Sequence, residues 1–165
     1  MKSDYYLKFE NKFRGDQISI QEQFKKYDEL VYLINNDLSH PTLVDIGCGR
    51  GEWLEKWSKN FDDCIGIEND SSMVDMCIKK GLKVFKGDAI NMLSNIKDDS
   101  VSIISIFHMV EHIDHIKLLT LMTECHRVLS KEGILLIETP SIDNLIVSAK
   151  SFYLDPTHIN PINPD

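Results

Sequence analysis

The chain has no long apolar run, no paired cysteines and no surplus of basic residues, and each absence removes a class of protein. No stretch of its 165 residues approaches the roughly 18 apolar residues of a membrane span. The opening MKSDYYLKFENKFRGD is charged and lacks the apolar core of a signal peptide. Four cysteines (Cys48, Cys64, Cys77, Cys125) stand apart with no CxxC pair. That spacing argues against a disulfide scaffold or a zinc knuckle and fits a reducing cytoplasm. Against 26 acidic residues there are 18 Lys and Arg, a formal charge of −8. Such a surface does not gather nucleic acid by bulk attraction, although a local basic patch stays open; small-molecule, lipid and glycan partners all remain. No internal repeat or low-complexity linker interrupts the chain. With 42% hydrophobic and 27% charged residues it has the material for one packed domain.

What is present is a change of period. Ile20, Phe24, Tyr27, Val31 and Ile34 recur at three- and four-residue steps, which predicts an amphipathic helix over 19–36 within an N-terminal helical cap, residues 1–40. From residue 41 short apolar runs alternate with helical stretches. Strands are expected at 42–46, 64–68, 83–86, 101–107 and 134–138, with helices over 52–60, 71–80, 89–96 and 115–129. Alternation of this length implies βαβ crossovers. The expected fold class is α/β, a Rossmann-like doubly wound, mostly parallel sheet over 41–140. Residues 141–165 would form a C-terminal segment on the substrate side.

Ligands of such sheets bind beyond the carboxyl ends of the strands. After the first strand comes Asp45-Ile-Gly-Cys-Gly-Arg-Gly51, whose glycines let a ligand touch the main chain at the positive end of the next helix. The spacing is GxGxG, neither the GxGxxG of dinucleotide enzymes nor a phosphate-binding GxxxxGK[ST]. Glu68 stands 21 residues beyond Gly47, where a carboxylate can accept the two hydroxyls of a ribose. A glycine turn or a surface glutamate alone is common in α/β folds; loop, acid and topology together are specific.

LVDIGCGRGEWL resembles motif I of class I S-adenosylmethionine-dependent methyltransferases, and IGIEND, GDAINML, SIISIFHMVEHI and HRVLSKEGILLIETP resemble their later motifs in order. The resemblance covers about residues 42–140. It implies S-adenosylmethionine as cofactor, with Asp45, Gly47, Gly49 and Gly51 around its methionine and sugar portion and Glu68 on the ribose. By the same resemblance Asn69 and Met73 would lie by the adenine, Asp88 and Ala89 at its amino edge, and Phe107 near the sulfonium. Arg14 is a candidate for the cofactor carboxylate or an anionic substrate group. The flanks FENKFRG, GRGEWL and FYLDPTHINPI are similar to methyltransferases of bacterial cell-surface polysaccharide clusters, which implies a sugar hydroxyl as acceptor.

A sugar hydroxyl is a poor nucleophile and benefits from a general base or a metal ion. His108-Met-Val-Glu111-His112 follows the fourth strand and offers both. The pattern also matches HxxEH of inverzincin peptidases, but its place at a strand end and the unexplained glycine loop count against a peptidase. Methyltransferases acting on the terminal ribose of small RNAs carry a similar Glu-His pair that binds a divalent ion. That resemblance implies Glu111, His112 and a distant His158 as ligands of Mg²⁺ or Mn²⁺. Here a histidine, His108, stands where those enzymes have a further glutamate. A metal-free base stays open beside it. Class I enzymes usually continue with a β-hairpin after the fifth strand; without one, the ILLIE strand would be an exposed apolar edge, covered by a second copy or a further part of the protein. A quinone-like lipid acceptor and a non-catalytic cofactor-binding remnant remain as alternatives.

Overall fold

The computed structural model describes residues 17–37 and 40–163. Five parallel strands form one sheet: β1 (Thr42–Ile46), β2 (Asp63–Glu68), β3 (Lys83–Lys86), β4 (Val101–Phe107) and β5 (Leu129–Glu138), in the order β3-β2-β1-β4-β5. Order reverses between β1 and β4, which opens a crevice at their carboxyl ends. The class expected from the sequence, a doubly wound parallel sheet, is the one observed.

Side chains alternate across the strands and divide the core in two. Leu43, Ile103 and Phe107 join Ile20, Phe24, Val31, Trp53 and Trp57 on one face. Val44, Ile46, Ile104 and Ile106 join Leu93, Leu121, Cys125 and Val128 on the other. The first face is covered by α1 (Gln17–Phe24), α2 (Asp28–Asp37), α3 (Glu52–Trp57) and α4 (Ser71–Lys79); the second by α5 (Ala89–Leu93) and α6 (His115–Val128). Every β4 residue is buried, and VSIISIF puts apolar side chains on both faces, as a central parallel strand does, with Ser102 and Ser105 among them.

Helices α3 and α5 end three residues short of expectation, and two other elements depart further. The N-terminal helix is broken by a 3-10 turn, Lys25–Tyr27, between α1 and α2. The break places the Tyr27 ring on Trp53 and Phe107, and its hydroxyl donates to Glu138 at 2.7 Å. Tertiary contacts outweigh the continuous apolar period there. The fifth strand begins at Leu129 rather than Ile134, with a register shift against β4 between Val101 and Ile103. Gly133 makes that shift possible: a Cβ there would stand 2.9 Å from the Val101 carbonyl oxygen. Helix α6 accordingly stops at Val128.

Helices start where aspartates follow strands. Asp70, Asp88 and Asp114 cap α4, α5 and α6 by accepting backbone N–H groups of the first turn. Strand β5 pairs with β4 and forms an edge of the sheet among the described residues. No helix among them is long and apolar enough to cross a membrane.

Candidate active site

A cleft opens beyond β1, β2 and β3, walled in part by Gly47, Glu68, Asn69, Asp88, Ala89 and Met109. Its floor is the glycine loop. Gly47 and Gly49 have φ of +71° and +53°, a region that side chains rarely adopt, and Gly47 donates its N–H to the Ile67 carbonyl at 2.8 Å. Glu68 holds the rim. Its Oε2 accepts the Gly49 N–H at 2.9 Å, and its Oε1 accepts those of Asn69 and Asp70 at 2.7 and 2.8 Å. Three of a carboxylate's roughly four acceptor positions are thus taken by backbone. One position is left for a further donor such as a sugar hydroxyl. The Cys77 thiol steadies the loop from beneath by donating to the Gly49 carbonyl at 3.3 Å. A loop with bare Cα atoms beside a strand-end carboxylate fits the sugar and backbone contacts of S-adenosylmethionine.

Several residues expected at the cofactor stand elsewhere. Gly51, expected to wrap it, begins α3 at φ +79°, and a Cβ there would lie 2.6 Å from Leu82 Cδ1 and 2.9 Å from Cys77 Sγ; it faces the packed interior. Met73 is 2% exposed and forms no wall of the cleft, because the first turn of α4 points its side chain into the core. Phe107 packs into the cluster of Phe24, Tyr27 and Trp53, with centroids at 5.1–5.7 Å, and forms no wall of the cleft. Its place in the β4 alternation puts it on the α1–α4 face. Asp45 is also buried and accepts the Ser105 hydroxyl at 2.7 Å, bridging β1 and β4 below the loop. Arg14 lies outside the described residues.

The second half of the site begins at His108, where β4 ends. Its φ of +54° is strained for a residue with a Cβ and turns the chain sharply. Met109 then enters the cleft over Gly47, while the His108 ring lies between two carboxylates, 3.4 Å from Glu138 Oε1 and 3.7 Å from Glu111 Oε1. Glu138 ends β5, and its Oε2 takes the Tyr27 hydroxyl and the Lys26 ammonium, each at 2.7 Å. The hydrogen bond to His108, helped by Lys26 and Tyr27, holds the Glu138 carboxyl down at about 2.

Glu111 is fully buried. Its Oε2 accepts the Thr139 hydroxyl at 3.1 Å, but its Oε1 has no hydrogen-bond donor. Burial alone would raise this carboxyl; the neighbouring His108 and His112 outweigh it and leave the group below its ordinary value. The segment after β5 folds back over this carboxylate. Ile159 and Asn160 donate their N–H groups to the Glu111 carbonyl at 2.9 and 3.0 Å, and Phe152 is buried beside the His158 ring. His158 Nε2 lies 4.0 Å from Glu111 Oε1, and ligand atoms of Glu111, His112 and His158 all fall within 4.8 Å of one another. Burial pushes the His112 imidazole below its ordinary pKa. His108 is the most open of the four, its side chain 42% exposed. Sequence reasoning missed Lys26, Tyr27 and Glu138 as members of this group. A carboxylate at the carboxyl end of a sheet strand was the available signal for Glu138.

A family model described as a methyltransferase domain matches residues 44–137. A solved SAM-dependent methyltransferase from Archaeoglobus fulgidus is similar over 97% of this chain and 69% of its own, with TM-score 0.86 and 32% identity. Another, from Clostridium acetobutylicum, has TM-score 0.64 and 18% identity over 87% of this chain and 59% of its own, a likeness of fold alone. Among curated proteins, a tRNA (guanine-N(7)-)-methyltransferase of Mycoplasma capricolum subsp. capricolum is 37% identical over 78 residues, 44% of this chain. The match spans about a third (34%) of that relative's length.

Proposed function

Because the chain belongs to the S-adenosylmethionine-dependent methyltransferase family, we propose that it methylates an oxygen, a sugar hydroxyl of a surface glycan. Bound in the cleft, the cofactor supplies a methyl carbon made electrophilic by its sulfonium. Gly47 and Gly49 give it backbone to lie against, Glu68 receives its ribose, and Asp88 and Ala89 meet the adenine edge. The acceptor enters from the side of His108, Glu138 and the C-terminal segment.

One observation carries the choice of oxygen: a buried carboxylate oxygen, Glu111 Oε1, lies without a donor among three imidazoles. Such a group costs about 1–3 kcal/mol unless something positive reaches it. A hydroxyl proton released to this cluster, or a divalent ion held by Glu111, His112 and His158, answers that need. Two imidazole nitrogens and one carboxylate suit manganese better than magnesium, which prefers all-oxygen sites. An ion there would acidify a hydroxyl bound beside it; without it, an imidazole takes the proton. A hydroxyl, a poor nucleophile while it keeps its proton, gains most from such a device. The glycan is supported by the resemblance of the flanks, and the charge of −8 weighs against carrying over the RNA substrate of the Mycoplasma relative. On this reading the protein works in the cytoplasm with its four cysteines free, and a second copy or a further stretch of protein covers the β5 edge.

Calorimetric titration of the metal-stripped protein with S-adenosylhomocysteine, repeated with Mn²⁺ and Mg²⁺, tests the cofactor and the ion. Labelled-methyl transfer to sugar nucleotides, oligosaccharides and quinols then tests the acceptor. Micromolar cofactor binding, a separate Mn²⁺ heat lost in His158→Ala, and label on a sugar hydroxyl are expected. A folded sample that binds no cofactor would sink the enzyme reading. Cofactor binding with no transfer to any hydroxyl would mark a non-catalytic partner, and label on a quinol would move the acceptor to a lipid.

A further inference from the structure

The hydrogen-bond partners of His112 decide which of its ring nitrogens carries the proton. Asp155 is buried, and its Oδ1 accepts the Thr157 N–H at 2.8 Å and the Thr157 hydroxyl at 2.5 Å. A hydroxyl has one hydrogen, and at this distance from a carboxylate oxygen it is given to Asp155. The same Thr157 Oγ1 lies 2.9 Å from His112 Nδ1. With its hydrogen spent, Oγ1 can only accept, so His112 donates from Nδ1. A neutral imidazole with hydrogen on Nδ1 keeps its lone pair on Nε2.

His158 is set the same way by a different partner. Its Nδ1 lies 2.6 Å from the Phe152 carbonyl oxygen, which can only accept. Its Nε2 lies 4.0 Å from Glu111 Oε1 and 3.9 Å from Asp155 Oδ2. The rings of His112 and His158 meet edge-on with centroids 4.7 Å apart. A single turn, Asp155-Pro156-Thr157-His158, closed by the His158 N–H on the Asp155 carbonyl at 3.2 Å, supplies one histidine and orients the other.

We propose that Asp155 and Thr157 are positioning residues that hold His112 in its Nδ1–H tautomer, so that Nε2 is the atom offered to the acceptor's proton or to a cation. This rests on His112 being base or ligand, as proposed above. In this proposal both act through the imidazole, Thr157 on His112 and Asp155 on Thr157. Outer partners of this kind typically change affinity or activity 10–100-fold when removed.

Long-range ¹H–¹⁵N spectra of the full, metal-stripped chain at about pH 8 report the tautomer of each histidine, with the His112 signals identified by their loss in His112→Gln. Wild-type His112 should read Nδ1–H. Thr157→Val, which keeps the shape and removes the hydroxyl, should move it to Nε2–H and lower kcat about 10–100-fold with KM for the cofactor unchanged. Thr157→Ser should restore both. An Nε2–H signal in wild-type His112, or an unchanged tautomer in Thr157→Val, overturns the proposal. If Thr157→Val does not fold, the wild-type spectrum decides alone. The spectrum needs neither cofactor nor turnover. A missing enzymatic activity would therefore count against the function proposed above while the tautomer still reads for or against this one.

Discussion

On the cofactor side of the site, Gly49 and Glu68 are 19 residues apart and meet across neighbouring strands; on the other side, Tyr27 and Glu138 are 111 apart. The first half is made of backbone: turns with positive φ, N–H groups, and one carboxylate at a strand end. The second is made of side chains delivered by a strained strand end, an edge strand, a 3-10 turn near the start and a segment that folds back from the end. A backbone cradle recurs wherever the local motif recurs. A side-chain cluster exists only when every contributing segment is docked, so on the proposed reading it is where the acceptor and the base would be specified.

That division gives variants that should damage one half and spare the other. The largest effect is expected from Glu111→Gln, which neutralises the cluster's buried charge at nearly constant volume. It should lower kcat about 10²–10⁴-fold while S-adenosylhomocysteine affinity, read by calorimetry, stays within about threefold. Equal loss of both would erase the distinction. Glu68→Ala is the converse. Losing charge-assisted bonds worth about 1.5–3 kcal/mol should weaken cofactor binding roughly 10–150-fold and leave the histidine tautomers unchanged.

The smallest effect belongs to the line that ties the N-terminal helices to the acceptor side. The Glu138 carboxyl is held at about 2 in the fold, below its ordinary 4.5. A depressed carboxyl contributes stability that is fully present above pH 4.5 and is lost as pH falls toward 2. Because the group is partly solvated, about 1–2 kcal/mol is the expected share. Glu138→Gln should therefore lower stability in urea melts at pH 7 by that amount and flatten its dependence between pH 4.5 and pH 2. An unchanged acid limb would mean that the N-terminal docking does not depend on this carboxylate.

The fold was legible because its signals are local. The run VSIISIF, the DIGCGRG loop and aspartates after strand ends dictate strand, turn and helix start from neighbouring residues. The break at Lys25–Tyr27 was not, because the apolar period runs through it and the reason for the break, Glu138, is far along the chain. Phe107 and Met73 misled for a related cause. The family resemblance implies both near the cofactor, whereas side-chain direction, set by strand alternation and by the first turn of a helix, sends both into the core. Histidines and carboxylates after β4 were visible as chemistry, but not their order in space. Glu111, with the most reactive label, is the most buried, and His108 is the most open.

What the sequence determines by itself is therefore the sheet, its crossovers and the cofactor cradle, all products of short-range periodicity and of glycine and aspartate at fixed offsets. Only the tertiary structure decides which histidine nitrogen holds a proton, which carboxylate oxygen lacks a donor and which aromatic ring leaves the site for the core. Those properties depend on distances between residues far apart in the chain, and a spacing pattern holds no information about them until the segments have packed.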